Sequence, residues 1–324
     1  MAGKPRVSRR TLLLSGGAAA AYALGGLQVG TPARAQGSAS EPRGAAHHRL
    51  SLGSREIIVL SDGHLVVPTS ILAENVAQAE VKSFLADRAL GPDRVHFHIN
   101  VALVKTGSDY VLIDAGSGGT WEPAAGKLAD SLEAAGIKPE QIGKVVLTHA
   151  HPDHIWGLVD ELDDSLRFPR AEYLVSAREF DFWTSGEGTN LKGPVEGIAA
   201  GARRVFKAIE ARTTRIKPGD EVAPGIAVID TAGHTPGHIS LLIASGSDTL
   251  LITADAVQNA HVSFAHPDWQ PRADMDGVRA AKSRRQVLDM ATSDKLRVLS
   301  YHIPFPGLGR VERKGSAFAW VAEA

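Results

Sequence analysis

The sequence predicts an α/β fold in which two mixed sheets pack together with helices outside. Two observations carry this. Each half of the chain is β-rich first and helical afterwards, and strand-like runs in both halves end directly at His or Asp. In the first half, Ile57 to Leu60, His98 to Val104 and Tyr110 to Asp114 read as strands, with Thr106-Gly107-Ser108-Asp109 as a hairpin turn. Lys127 to Ala135 suits a helix that stops at Gly136, and Lys144 to Leu147 is a short buried strand running into Thr148-His149. A further helix is expected over Ala199 to Arg212. In the second half, Ile226 to Asp230, Ser240 to Ala244, Thr249 to Ile252 and Val298 to Ser300 read as strands. Asp276 to Ala291 reads as a helix with Val278, Ala281, Leu288 and Ala291 roughly on one face.

Composition narrows the chemistry. The 324 residues include no cysteine, which excludes disulfides, thiol catalysis and cysteine metal ligands, and leaves the 13 histidines as the nitrogen ligands. A net charge of −1 and an aromatic content of 6% argue against a nucleic-acid binder.

The first 35 residues read as an export signal rather than as fold. Lys4, Arg6, Arg9 and Arg10 precede the weakly apolar, Ala- and Gly-rich stretch Thr11 to Val29, and Ala33-Arg34-Ala35 supplies an A-x-A cleavage pattern. Ser8-Arg9-Arg10-Thr11-Leu12-Leu13 resembles a twin-arginine signal, which implies a periplasmic or secreted protein. That segment holds five basic residues and no acidic ones, so its removal leaves 30 basic against 36 acidic side chains. No later stretch is long and apolar enough to span a bilayer, so no stable membrane insertion is expected after processing. Residues 36–54 read as a flexible leader, with His47 and His48 solvated, and 55–324 as one domain.

The strongest chemical signal is Thr148-His149-Ala150-His151-Pro152-Asp153-His154, four potential ligands within six residues directly after a strand. A helix would put His149 and His151 on different faces, whereas a tight loop at a strand end can turn all four toward one point. Neutral imidazoles plus a carboxylate suit zinc at neutral pH.

This H-x-H-x-D-H pattern resembles the metallo-β-lactamase superfamily. Val111-Leu112-Ile113-Asp114-Ala115-Gly116 is similar to the family's first motif and Thr231 to His238 to its third. Leu251 to Asp255 is similar to the fourth motif and Ser300-Tyr301-His302 to the fifth. The resemblance runs from about residue 55 to the C-terminus and implies the αβ/βα sandwich. It also implies two zinc ions: one on His149, His151 and His234, a second on Asp153, His154 and His302, with Asp255 bridging them as the catalytic carboxylate. His238 is the alternative to His234. Asp114 and Asp62 are expected to support the ligands from behind, or to act only as turn residues. His96, His98, His261 and His266 are expected to be packing or surface residues.

Absences and local stretches narrow the branch. Lack of cysteine excludes cysteine-ligated β-lactamases, Asp255 points away from the other β-lactamases, and Ala150 stands where the flavodiiron branch has Glu. Leu60-Ser61-Asp62-Gly63, Ala177 to Trp183 and Pro304 to Gly309 resemble the methyl parathion hydrolase group, whose close relatives are quorum-quenching lactonases. Some of those lactonases use a Tyr three residues after the bridging Asp, and that position here is Gln258. The resemblance implies a hydrolase that uses a metal-shared hydroxide to cleave a lactone, carboxyl ester or phosphotriester. Leu65, Val67, Trp183 and Phe264 are the expected apolar mouth for this small-molecule substrate, with core packing or dimer contact as the alternative. A homodimer is compatible with these residues. Two other functions stay open: a mononuclear-iron thiol dioxygenase of the same fold, and a non-catalytic periplasmic metal-binding protein.

Overall fold

The structure is a computed structural model and describes residues 46–191, 193 and 195–323. The expected signal segment and residues 36–45 of the leader lie outside the described residues.

The first half comprises β1 (His47–Leu52), β2 (Arg55–Pro68), α1 (Gln78–Ala86), β3 (Arg94–Thr106), β4 (Asp109–Ile113), α2 (Leu128–Ala134), β5 (Ile142–Leu147), α3 (Pro152–Ile155), β6 (Glu172–Ser176), α4 (Ala177–Thr184), α5 (Gly186–Thr189), α6 (Val195–Ile209) and β7 (Thr213–Ile216). The second comprises β8 (Glu221–Ala223), β9 (Ile226–Asp230), β10 (Ile239–Ser245), β11 (Asp248–Ile252), α7 (Val262–Ala265), α8 (Gly277–Ser293), β12 (Arg297–Leu299), β13 (Leu308–Lys314) and β14 (Ala317–Ala322). One seven-stranded sheet runs β1 to β7 in order and the other β14 to β8. Both are mixed: β4 to β7 are parallel neighbours, as are β11 and β12, and the remaining pairs are antiparallel.

Side-chain alternation sorts each strand between two layers. Ile57 and Val59 of β2, Val111 and Ile113 of β4 and Val146 of β5 face the second sheet. There they meet Val228, Leu241, Ile243, Leu250 and Ile252. The intervening Ile58, Leu60, Leu112, Val145 and Leu147 pack outward with Leu128 and Leu132 of α2 and Ala202, Val205 and Phe206 of α6. On the far side, Leu251 and Val298 meet Val287, Leu288 and Ala291 of α8. Each such fully buried side chain contributes on the order of 2 kcal/mol, so a one-residue slip of a central strand would exchange two cores at once.

The leader expectation is corrected at its end. His47–Leu52 is strand β1, in antiparallel register with Leu60 to Arg55 of β2. His47 is exposed and His48 only half-buried, but Leu50 and Leu52 are buried between the sheets. A weakly patterned edge strand is stabilised by its neighbour rather than by its own composition.

This topology positions the site. Asp114 follows β4, His149 follows β5, Asp255 follows β11 and His302 follows β12. Parallel neighbours end at the same sheet edge, so these loops converge.

Candidate metal centre

Three sets of side chains have ligand atoms close enough to share an ion: His149, His151 and His234; His149, His154 and Asp255; and Asp153, His154 and His302. All seven belong to the motifs, and six are buried, with His151 partly exposed. Asp255 stands between the sets. Its Oδ1 lies 3.1 Å from His154 Nε2, and its Oδ2 lies 3.1 Å from His302 Nε2 and 3.3 Å from His234 Nε2. Asp153 Oδ2 is 3.5 Å from His154 Nε2 and 3.4 Å from His302 Nε2. His234 Nε2 and His151 Nδ1 face each other at 2.9 Å.

The donor set fits metal ions. His149 Nε2, His154 Nε2 and Asp255 Oδ1 are buried polar atoms that make no well-aligned hydrogen bond, although the last two stand 3.1 Å apart, an arrangement that is costly unless a cation completes it. The opposite ring nitrogens are occupied. His154 Nδ1 is 2.8 Å from Asp114 Oδ2, His302 Nδ1 is 2.7 Å from the His98 carbonyl, and His234 Nδ1 is 2.8 Å from Asp274 Oδ1. In all three rings these acceptors engage the nitrogen that points away from the cluster, and Nε2 is the nitrogen directed into it.

Charge in the cluster divides by position. Burial, then repulsion from His154, pushes His149 well below the ordinary imidazole range; burial, then His234, does the same for His151. At His154 and His302 burial acts the same way, but the carboxylates led by Asp255 outweigh it and raise both. Burial would raise Asp255, yet His302 and His154 hold it well below the usual carboxylate range.

Asp114, at φ 64°, accepts from the Thr148 amide at 2.8 Å, from Thr148 Oγ1 at 2.7 Å and from His154, so it braces the loop and the ring together. Asp62 has a different role from the one expected, since its partners lie in the loop after β4 and at the first residue of α2. It accepts from Ser117 N and Oγ at 2.8 Å, Leu128 N at 2.8 Å and Gly126 N at 3.3 Å. Gly116, at φ +70°, is required there because a Cβ would lie 2.6 Å from that carboxyl carbon. Burial pushes Asp62 up to about 6, against those four bonds. The unfolded chain ionises near 4 and the folded chain near 6, so stability falls as pH rises through that window, by about 3 kcal/mol, and is level above it. Carbon NMR of the Asp62 carboxyl should show a midpoint near 6; one below its ordinary value would mean that the hydrogen bonds outweigh burial.

His238 is not in any of the three sets. Its Nδ1 lies 2.8 Å from Thr231 Oγ1 and its Nε2 accepts the Asp255 amide at 3.1 Å, so it holds the backbone of the central carboxylate. Glu179 gave no sequence signal. Fully buried, it accepts from Ala150 N (2.9 Å), Trp183 Nε1 (2.7 Å), Thr235 Oγ1 (2.7 Å) and Gly237 N (2.9 Å), tying the loop of His149 and His151 to the loop of His234.

The expected apolar mouth is only partly assembled. Trp183 is completely buried, 6.2 Å from the His151 ring, because its indole N–H is drawn inward to Glu179 one turn earlier. Phe264 lies in the core under α8, 5.4 Å from the Trp320 ring, where its apolar neighbours are. Neither reaches a surface a substrate could touch, which corrects both. Leu65 pairs across the sheet with Phe97, whose ring stacks on His302 at 5.1 Å, and Val67 is half-buried two residues on. Phe97 was not singled out in the sequence, where it is one of nine phenylalanines.

The profile of the metallo-β-lactamase superfamily matches residues 94–302, the span that carries all seven side chains. The chain belongs to the metallo-β-lactamase superfamily. Among solved structures it is similar to AidC, a dizinc quorum-quenching lactonase in complex with a product, at 30% identity and TM-score 0.80, covering 87% of this chain and 99% of that one. It is also similar to the hydrolase AbOPH, at 27% identity and TM-score 0.79, covering 86% and 98%. Among relatives, an N-acyl homoserine lactonase of a Bacillus species is 27% identical over 174 residues, 52% of this chain and 59% of that protein. The uncharacterized protein YobT of Bacillus subtilis strain 168 is 29% identical over 206 residues, 61% of this chain and 81% of that protein. As a superfamily member with this cluster and these relatives, the protein is a metal-dependent hydrolase. No helix among the described residues is long and apolar enough to cross a membrane.

Proposed function

We propose that the protein is a dinuclear zinc hydrolase that opens a lactone of the N-acyl type, with carboxyl esters and phosphotriesters as related substrates. The observation that supports this most is the set of three buried atoms without a well-aligned hydrogen bond, His149 Nε2, His154 Nε2 and Asp255 Oδ1, within a ring of seven His and Asp side chains. His149, His151 and His234 would hold one ion, Asp153, His154 and His302 the other, and Asp255 would contact both. Two bound zinc ions supply Lewis acidity and a water acidified to near neutral pH.

The chain's own residues do the rest. Asp255 brings negative charge between two cationic positions. Asp114 and the His98 carbonyl fix two imidazoles so that no reorganisation is needed when charge develops. Half-buried Val67, packed over the cluster that contains Leu65 and Phe97, offers apolar surface to an acyl group. Gln258 is buried with its side-chain amide against the His234 ring, 3.0 Å from Nδ1, and a carboxamide has no acidic proton, so the position three residues after Asp255 does not supply a proton to a leaving group.

The test is a panel of N-acyl homoserine lactones, aryl esters and phosphotriesters, with and without chelator, together with elemental analysis. Chelator-sensitive lactone cleavage and close to two zincs per chain are expected. A single iron with sulfur-oxygenating activity would establish the dioxygenase instead, and inertness of the two-zinc protein toward the whole panel would leave a metal-binding protein.

We also infer export through residues 1–35. Arg9→Lys with Arg10→Lys should trap the precursor in the cytoplasm; normal export of that double variant would exclude the twin-arginine route.

A further inference from the structure

Asp274 and Arg284 stand outside every motif, yet the side chains of both are almost completely buried beside the metal centre. A buried ion pair is weak evidence for stability, since desolvation offsets most of the attraction and an apolar pair often serves as well. Its geometry is therefore informative. Asp274 Oδ1 is 2.8 Å from His234 Nδ1, and its Oδ2 accepts from Arg284 at 2.8 Å. The rest of the guanidinium is committed as well. Nε donates to the Ala256 carbonyl at 3.0 Å, and one terminal nitrogen donates to the carbonyls of Pro267 and Trp269, both at 2.9 Å. Ala256 is the residue after Asp255, so the same cation holds the backbone beside one ligand and the carboxylate beside another.

The backbone agrees with the side chains. The Met275 amide donates to the His234 carbonyl at 3.0 Å and the Asp276 amide to the Gly233 carbonyl at 2.9 Å. The segment that carries Asp274 is thus docked on the segment that carries His234. Gly233, at φ 134°, allows this approach, because a Cβ there would lie 2.2 Å from the Ala280 amide nitrogen of α8.

We propose that Asp274, clamped by Arg284, is a positioning residue for the metal centre: it fixes the ring plane and tautomer of His234, so that Nε2 presents its lone pair to the ion. An Nδ1–H directed at Asp274 leaves Nε2 bare, and His151 Nδ1 faces that same Nε2 at 2.9 Å, as two ligands of one ion would. Without the carboxylate the ring can rotate or take the other tautomer, and the ion loses a preorganised donor. This rests on the metal-centre reading above and not on the choice of substrate.

The experiment compares Arg284→Met with the double variant Asp274→Asn, Arg284→Met. Both lack the guanidinium, so they differ only in the carboxylate; the single variant leaves Asp274 without its cation, so any difference in stability should favour the double variant. Zinc affinity is read by competition with a chromophoric chelator, and the fold by thermal melting of the metal-free proteins. One zinc-binding step is expected to weaken roughly 10- to 100-fold in the double variant relative to Arg284→Met, although the metal-free double variant should melt no lower than the single one. In the zinc-loaded protein the hydrogen-bonded His234 Nδ1–H resonance, present with Asp274, should be lost or shifted. Equal zinc affinities in the two variants would overturn the proposal, as would a loss of affinity that merely follows the melting temperature. Should Arg284→Met fail to fold, Asp274→Asn against wild type is read by the same criteria. The readout needs no substrate: a protein that holds zinc but cleaves nothing in the panel fails the hydrolase reading while this one is still decided by its own affinities.

Discussion

Asp255→Asn is expected to abolish hydrolysis while leaving most of the fold. The carboxylate has nitrogens of His154, His234 and His302 within 3.1 to 3.3 Å, so in the proposed centre it is the protein group common to both ions. Asn keeps the shape and removes the negative charge that offsets repulsion between two cations. The ion near Asp153, His154 and His302 should be lost first, since that set has fewer imidazoles than the set of His149, His151 and His234. The rate should fall at least about a hundredfold, the scale on which removal of one preorganised electrostatic group acts. The backbone should hold, because the His238 ring still accepts the residue 255 amide. Metal content, rate at saturating zinc and a thermal melt on one sample decide the matter. A near-wild-type rate with two bound ions would show that Asp255 does not link them.

Glu179→Ala should produce the largest loss of stability among the residues around the site. The substitution leaves two backbone amides, an indole N–H and a hydroxyl facing a cavity in the protein interior. Unsatisfied buried donors cost about 1–3 kcal/mol each, and entering water relieves some of them. A net loss of about 4 kcal/mol, roughly 8 °C in melting temperature for a chain of this size, is expected. Activity should fall as well, because the His149–His151 loop and the His234 loop are joined through this carboxylate. Glu179→Gln should be milder. It retains one acceptor oxygen but turns an amide N–H₂ toward the Gly237 N–H. A Glu179→Ala protein melting within about 2 °C of wild type, the size of a 1 kcal/mol effect, with full activity, would mean that other contacts hold these loops.

The ligand-bearing motifs were legible because their chemistry is extreme. Three histidines and an aspartate within six residues after an apolar strand have few structural explanations, and Asp114, His234, Asp255 and His302 each close a strand or a tight loop. Strand and helix positions in the middle of the chain were legible from apolar runs. Lys127 to Ala135 and Asp276 to Ala291, for instance, correspond to α2 at Leu128–Ala134 and α8 at Gly277–Ser293. β1 was not, since His47–Leu52 has only two buried residues and depends on pairing with β2.

Local order alone therefore determined which side chains can hold metal and that two β-rich halves surround them. Only the tertiary structure decided which residues hold those ligands in place. Glu179 and Asp274 look like any other acidic residue in the sequence, and Arg284 sits on an otherwise ordinary helix. Apart from Trp183, one turn after Glu179, the side-chain and loop partners named above lie 10 to 58 residues away along the chain. The same applies to Trp183 and Phe264. Apolar character marks a residue as suited to burial, but the face it is buried on depends on which helix or sheet covers it, and both were drawn into cores. A metal ligand is recognised by its own functional group, whereas a supporting residue is defined by a hydrogen-bond distance of about 3 Å to a partner, which exists only once the loops from both sheets have met at one edge.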